Sequence, residues 1–284
     1  MTPPSVCAGI DIGGTNTRIA LFDTLDTPQC RILARFRTLP NYAQQMQYIF
    51  TALQDVPPLA GIGVSIGARI AKDGRSVVFG PNVSDYIGKP FAQDLADRFG
   101  CLIRLGHDTV CGLLGEKTFG SIQHDKRCAY LTLSTGTGAA IHLQKSGMQL
   151  TISIEIGHQI LDGNTLPCLC GQVGCLETYT GGKQLELRLG KPLTDITDSA
   201  FWETYSEKLA LGLVNLTQLT KVETIAVSGG IVLSRPFLLE RVQKHVNARL
   251  RSTTLTLRPA LLGENAPLVG AALLLETPEE TILH

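Results

Sequence analysis

Two stretches of this chain carry one plan: an apolar strand, a turn of small residues, and a second apolar strand. AGIDIGGTNTRIALF spans residues 8–22 and AYLTLSTGTGAAIHL spans residues 129–143, about 121 residues further on. Solenoid repeats recur every 20 to 50 residues or so, so one duplication at this distance points to two similarly built lobes. A chance likeness between two hairpins is the competing explanation. The 284 residues fit about two domains on length alone.

The segments around each stretch read as α/β. Val6–Ile12, Ile19–Phe22 and Arg31–Arg37 read as strands in a meander. Tyr42, Met46, Ile49, Phe50 and Leu53 recur at helical spacing, and a second helix with Phe91, Leu95 and Phe99 begins after Pro90. Gly61–Ile66 is a buried strand, and Leu102–Leu105 a short one aimed at His107–Asp108. Beyond the second hairpin, Phe201, Tyr205, Leu209, Leu213 and Leu216 mark a long helix. Thr224–Val227 then runs as a strand into Ser228–Gly229–Gly230, and Pro267 opens a last helix. We expect residues 1–115 to form an N-terminal lobe completed by 267–284, and 116–266 a C-terminal lobe, with a hinge near Leu113–Gly120.

Charge and cysteine content exclude several functions. Twenty-five Lys+Arg balance 25 Asp+Glu, so nothing draws the whole chain to nucleic acid or an anionic bilayer. Apolar runs such as Pro267–Leu275 fall far short of the roughly 20 residues that span a membrane. The first residues lack the cationic start of a signal peptide. Of eight cysteines, five (Cys7, Cys30, Cys101, Cys111, Cys128) are scattered as reduced core thiols would be. The expectation is a soluble, cytoplasmic protein.

The first turn, Asp11-Ile-Gly-Gly-Thr-Asn-Thr17, has the makings of a phosphate site. Gly13 and Gly14 allow a tight turn with amide N–H groups free to face an anion, and Thr15 adds a hydroxyl. Asp11 stands where a phosphate-bound Mg²⁺ needs an oxygen ligand, and an acid in an apolar strand is costly without a partner. An ordinary glycine hairpin would explain the two glycines alone. Ser134-Thr-Gly-Thr-Gly138 and Ser228-Gly-Gly230 repeat the pattern at two more strand ends. Gly112–Thr118 and Gly61–Gly67 only approximate nucleotide-binding spacings and read as structural.

The sharpest local signal is His158-x9-Cys168-x-Cys170-x4-Cys175. One imidazole and three thiolates make a closed, structural Zn²⁺ set; three core thiols beside an unrelated histidine are the alternative, against which the Cys168–Cys175 loop is polar and Gly-rich. Glu155 and Glu177 flank it, and carboxylates fixed by a metal-folded loop suit sugar hydroxyls. Solvated surface acids are the alternative. Asp108, after a short strand, is placed to accept a proton in phosphoryl transfer; a turn or helix-cap role is the plainer reading.

Together DIGGT, STGTG, EIGH and CLCGQVGCLE resemble the ROK family (repressors, open reading frames and sugar kinases) of the actin/hexokinase-like superfamily. The resemblance extends through Gly229–Gly230 to the closing Gly270–Ala272. It implies a two-lobed, ribonuclease-H-like α/β fold with a central cleft, holding ATP, Mg²⁺ and a hexose. Carried over by position, it makes Asp108 the catalytic base and Asn82, Glu155, His158 and Glu177 sugar contacts. Asp11, Gly13, Gly14, Thr15, Thr135, Gly136 and Thr137 match the phosphate loops, and Gly229 and Gly230 the adenosine side. His158, Cys168, Cys170 and Cys175 match the zinc ligands, and a homodimer is a family expectation.

Three positions depart from the family pattern. His107 replaces the usual Asn before Asp108, Ala139–Ala140 replaces Gly-Gly, and Ser153–Ile154 replaces Ala-Gly before EIGH. The family's repressors carry an N-terminal helix-turn-helix, for which no room is expected ahead of the first strand. The reading is therefore an ATP-dependent kinase of a hexose or N-acylated hexosamine. A sugar-binding sensor that has lost catalysis is the alternative.

Overall fold

The structure is a computed structural model that describes residues 6–80 and 83–283. Its first elements are β1 (Cys7–Ile12), β2 (Asn16–Phe22), β3 (Arg31–Arg37), α1 (Tyr42–Leu53) and β4 (Gly61–Ile66). The short β5 (Arg69–Ile70) and β6 (Val77–Phe79) precede α2 (Phe91–Phe99), β7 (Leu102–His107) and α3 (Asp108–Phe119). Next come β8 (Arg127–Leu133), β9 (Thr137–Lys145), β10 (Met148–Ile154), α4 (Glu177–Thr180), α5 (Gly182–Leu189) and α6 (Ser199–Thr220). The chain ends with β11 (Thr224–Ser228), α7 (Gly230–Leu233), α8 (Phe237–Arg249), β12 (Thr256–Pro259), α9 (Ala266–Leu273) and β13 (Ile282–Leu283).

These elements divide into two compact units. The first runs to Gly120 and includes Leu150–Ser153 and the segment from Asn265 onward; the second holds Ser121–Gln149 and Ile154–Glu264. Helix α3 is unbroken from Asp108 through residue 115 to Phe119.

In the first unit the strands lie in the order β3-β2-β1-β4-β7. The β1–β2 and β2–β3 pairs are antiparallel, while β1, β4 and β7 run parallel. CAGIDI and GIGVSI are buried along their whole length, as parallel strands covered on both faces must be. The edge strand β3 carries Arg31, Arg35 and Arg37, charges that discourage pairing with another sheet edge. Asn41 caps α1 by accepting from Gln44 N–H, and Tyr42, Met46, Ile49 and Leu53 form the buried stripe of that helix. Helix α9 lies unusually close to its neighbours. A Cβ on Gly63 would sit 1.7 Å from Ala271 O, and one on Gly270 would sit 1.7 Å from Cys111 O.

The second unit repeats the design. Its strands run β12-β11-β8-β9, with β8–β9 antiparallel and β8, β11 and β12 parallel. The order β7-β4-β1-β2 of the first unit therefore has its counterpart here, hairpin for hairpin. Asp198 caps α6, whose buried face includes Trp202, Tyr205, Leu209, Leu213 and Leu216. Tyr205 Oη reaches Thr180 O at 3.2 Å, which pins the segment after the cysteine loop to this helix.

Candidate active site and metal centre

Strand register gathers the first unit's chemistry at one sheet edge. Ile12 of β1 lies opposite Ile66 of β4, and Ile66 opposite His107 of β7. The Gly13–Thr15 turn, Gly67 and Asp108 thus all leave from the carboxyl ends of adjacent parallel strands. That edge is where open α/β sheets bind ligands. Gly13 N–H bonds Asn16 O at 3.0 Å and closes the turn, while Gly14 and Thr15 are exposed at its tip.

Asp11 is buried, and the structure supplies the partners its position demands. Arg18 Nη2 lies 2.7 Å from Oδ2, and Ser65 Oγ donates to Oδ1 at 2.9 Å. Burial nevertheless pushes the Asp11 carboxyl above the ordinary carboxylate range against the pull of Arg18, and the Asp108 charge pushes the same way. Cys111 is buried beside both acids; burial first, then their charges, hold its thiol well above the usual value.

Asp108 is the first residue of α3. Its side chain is 31% exposed, and its Oδ1 lies 2.9 Å from His107 Nδ1. His107 is itself the N-cap, accepting from Thr109 N–H, and its Nδ1 is 2.8 Å from Thr109 Oγ1. A side chain on Gly67 would sit 3.3 Å from Asp108 Oδ2, so glycine keeps that oxygen's flank open.

In the second unit the Gly/Thr turn is tied to the segment that follows the cysteine loop. Thr137 N–H donates to Glu177 Oε2 at 2.8 Å, and Thr137 Oγ1 lies 2.8 Å from Thr180 Oγ1. Gly182 and Lys183 N–H groups, opening α5, donate to Ser134 O and Thr135 O at 2.9 Å each. The parallel pairing of Thr132 with Ser228 brings the third turn to the same end of the sheet. Gly229 there has φ +100, and a Cβ on it would lie 2.2 Å from Leu133 O, so only glycine fits. Among the described residues nothing lies within 4 Å of a Cβ placed on Gly230.

His158, Cys168, Cys170 and Cys175 converge: one ligand atom from each lies within 4.8 Å of all the others. Cys170 and Cys175 sulfurs are 3.7 Å apart, and Cys168 Sγ is 3.8 Å from His158 Nδ1. A tetrahedral Zn²⁺ with bonds near 2.3 Å to sulfur has S···S edges of about 3.8 Å. A disulfide would need about 2.05 Å, and all eight cysteines are free thiols. Burial, followed by the adjoining Cys170 and Cys168 sulfurs, pushes the Cys175 thiol up to about 12. One imidazole and three converging sulfurs at this spacing form a donor set that fits Zn²⁺.

The other expected sugar contacts take different places in the fold or lie outside the described residues. Glu155 is exposed and its carbonyl accepts from His158 N–H at 3.0 Å; Glu177 is half-buried against the Thr137 turn. Asn82 lies outside the described residues. Sequence reasoning missed Arg18, Ser65 and Gln184, each an isolated polar residue that gains meaning only through the acid or sulfur it contacts.

Comparison with known proteins agrees with this architecture. The chain is 28% identical over 235 residues to the xylose repressor of Bacillus subtilis (strain 168), covering 75% of this chain and 60% of the repressor. It therefore spans under two thirds of the length of that relative. It is 27% identical over 262 residues to the N-acetyl-D-glucosamine kinase of Citrobacter koseri, covering 78% of this chain and 83% of the kinase. Among solved structures, the ROK family glucokinase from Streptomyces griseus in complex with glucose and AMPPNP superposes with a TM-score of 0.76. At 23% identity, with 95% of this chain and 98% of that one covered, this match shows a shared fold. The family model described as ROK family matches residues 7–277, and the chain belongs to the ROK family.

Proposed function

We propose that the protein is an ATP-dependent sugar kinase that transfers the γ-phosphate of ATP to a hydroxyl of a hexose or N-acylated hexosamine. One observation carries the reading: the register Ile12–Ile66–His107 delivers the first Gly/Thr turn and the Asp108 carboxylate to a single sheet edge. A phosphate grip and a proton acceptor at one edge are what phosphoryl transfer to an alcohol requires.

In this reading Asp108 takes the proton of the sugar hydroxyl as its oxygen bonds the γ-phosphorus, and the bond to the bridging oxygen breaks to release ADP. Gly13 shapes the first turn by closing its N–H onto Asn16 O, the amides of Gly14 and Thr15, and those of Thr135 and Gly136, meet phosphate oxygens, and Gly229 and Gly230 leave room for the adenosine. Asn82, Glu155, His158 and Glu177 contact sugar hydroxyls. Two of about four lone-pair sites on Asp11 are already taken by Arg18 and Ser65, which leaves acceptors for the waters of Mg²⁺. Bound there, Mg²⁺ would offset phosphate charge. His158, Cys168, Cys170 and Cys175 hold a structural Zn²⁺ that shapes the segment carrying Glu155 and Glu177.

A second reading, a sugar-binding sensor without turnover, draws on the xylose-repressor relatives and on His107 beside Asp108, and it is not the favoured one. The deciding experiment incubates the zinc-loaded, folded chain with MgATP and a panel of hexoses and N-acylated hexosamines, following ADP release. A kinase releases ADP with at least one sugar well above the sugar-free rate. No sugar-dependent release across the panel would leave the sensor.

A further inference from the structure

Cys168 and Glu177 share one donor. Gln184 lies in the first turns of α5 and is buried to 9% exposure. Its Nε2 is 2.8 Å from Cys168 Sγ and 3.5 Å from Glu177 Oε1. A primary amide nitrogen has two protons, so both bonds can be made at once. Glu177 uses its other oxygen, Oε2, to accept from Thr137 N–H. A continuous set of hydrogen bonds therefore runs from a metal-ligand sulfur, through two side chains, to the backbone of the second Gly/Thr turn.

The chemistry of the acceptors explains why an amide stands there. A metal-bound thiolate and a carboxylate are both anionic, and two such groups in one buried neighbourhood repel unless a donor lies between them. Neutral Gln supplies a proton to each without adding a charge of its own. Its backbone is fixed by the same turn it serves, because Gly182 and Lys183, just before it, donate to Ser134 O and Thr135 O.

We propose that Gln184 is a positioning residue that ties the metal centre to the second Gly/Thr turn, with one N–H on the Cys168 thiolate and the other on Glu177. The proposal rests on the reading of the His158–Cys175 cluster as a zinc site. Metal-ligand direction, Glu177 orientation and the Thr137 amide then move as one body, so metal loss is felt at the phosphate-facing turn.

The test uses the full chain. In the wild-type protein loaded with ¹¹³Cd, the side-chain amide protons of Gln184 should show scalar coupling to the metal through the Cys168 sulfur. The Co²⁺-loaded Gln184→Met protein, similar in length but without a donor, should have its sulfur-to-metal charge-transfer band shifted to longer wavelength. Its metal release to a chelator should be on the order of 10- to 100-fold faster. With metal fully bound, its KM for MgATP should rise several-fold. Absence of the ¹¹³Cd coupling in wild type overturns the proposal, and does so whether or not Gln184→Met folds. A folded Gln184→Met with an unchanged band, release rate and KM overturns it equally. If the wild-type chain took up neither Cd²⁺ nor Co²⁺, the zinc reading would fail first and carry the proposal with it.

Discussion

The backbone N–H of Thr137 donates to Oε2 of Glu177 at 2.8 Å. A residue forty positions further along the chain, two places beyond a cysteine of the His/Cys cluster, thus satisfies a buried amide of the turn that faces phosphate in the proposed kinase. Glu177 is structural as well as a proposed sugar contact, and the two roles can be separated by mutation.

Glu177→Ala leaves the Thr137 amide without its acceptor in a buried setting, at a cost of about 1–3 kcal/mol. Glu177→Gln keeps an oxygen in place and should recover most of that loss. Urea denaturation midpoints of the two variants, at equal zinc content, check the difference.

Metal binding should depend on pH in a defined direction. Burial and neighbouring sulfurs raise the Cys175 thiol to about 12, and burial raises Cys168 as well. Cys168 and Cys175 therefore keep their protons at neutral pH, while at Cys170 desolvation is outweighed by hydrogen bonds from Gln172 and the neighbouring thiols, which lower it. Zinc must expel the two held protons, so affinity climbs with pH. A thiol raised in the folded state stabilises fully below its unfolded value near 8.5, and that contribution is lost as pH rises toward the folded value. Metal-free protein should thus lose stability from pH 8.5 upward, while the zinc form does not. Chelator competition and thermal melts at several pH values measure both effects.

His107 caps α3 through a side-chain bond from Thr109 N–H. Asn is an equally good or better cap, so His107→Asn should leave stability within about 0.5 kcal/mol, whereas His107→Ala should lose about 1 kcal/mol. Thermal melts of the pair separate the cap from any effect on turnover.

The close approach of α9 should be intolerant of a single methyl group. Gly63→Ala places a carbon 1.7 Å from Ala271 O, and backbone rather than a flexible side chain must give way. The expected cost is about 3 kcal/mol or more, read as a collapse in melting temperature or soluble yield; a wild-type melt would contradict the packing.

Much of the scaffold was legible because burial wrote itself into the sequence. Continuous apolar runs with glycines identified β1 and β4, and 3.6-residue periodicity identified α1 and α6. The duplicated hairpin points to two similarly built lobes, and a common strand order does recur in the two units. Strand β10 (Met148–Ile154) was missed: its burial is only partial, and the turn before it draws on Ser146 at positive φ, an uncommon choice. At the site, the cysteine spacing was readable because metal chemistry demands few residue types at short range. Arg18, Ser65 and Gln184 were not, since each finds its partner through folding: Asp11 is seven residues from Arg18 and 54 from Ser65, and Cys168 is 16 from Gln184.

In the proposed kinase Asp108 takes the proton of the sugar hydroxyl, which an amide in its place cannot do. Turnover and sugar affinity are compared between wild type and Asp108→Asn, by ADP release and by calorimetric titration. General-base loss predicts a kcat lower by about 10²- to 10⁴-fold with sugar affinity changed only a few-fold. An Asp108→Asn protein that turns over at the wild-type rate would exclude Asp108 as the base.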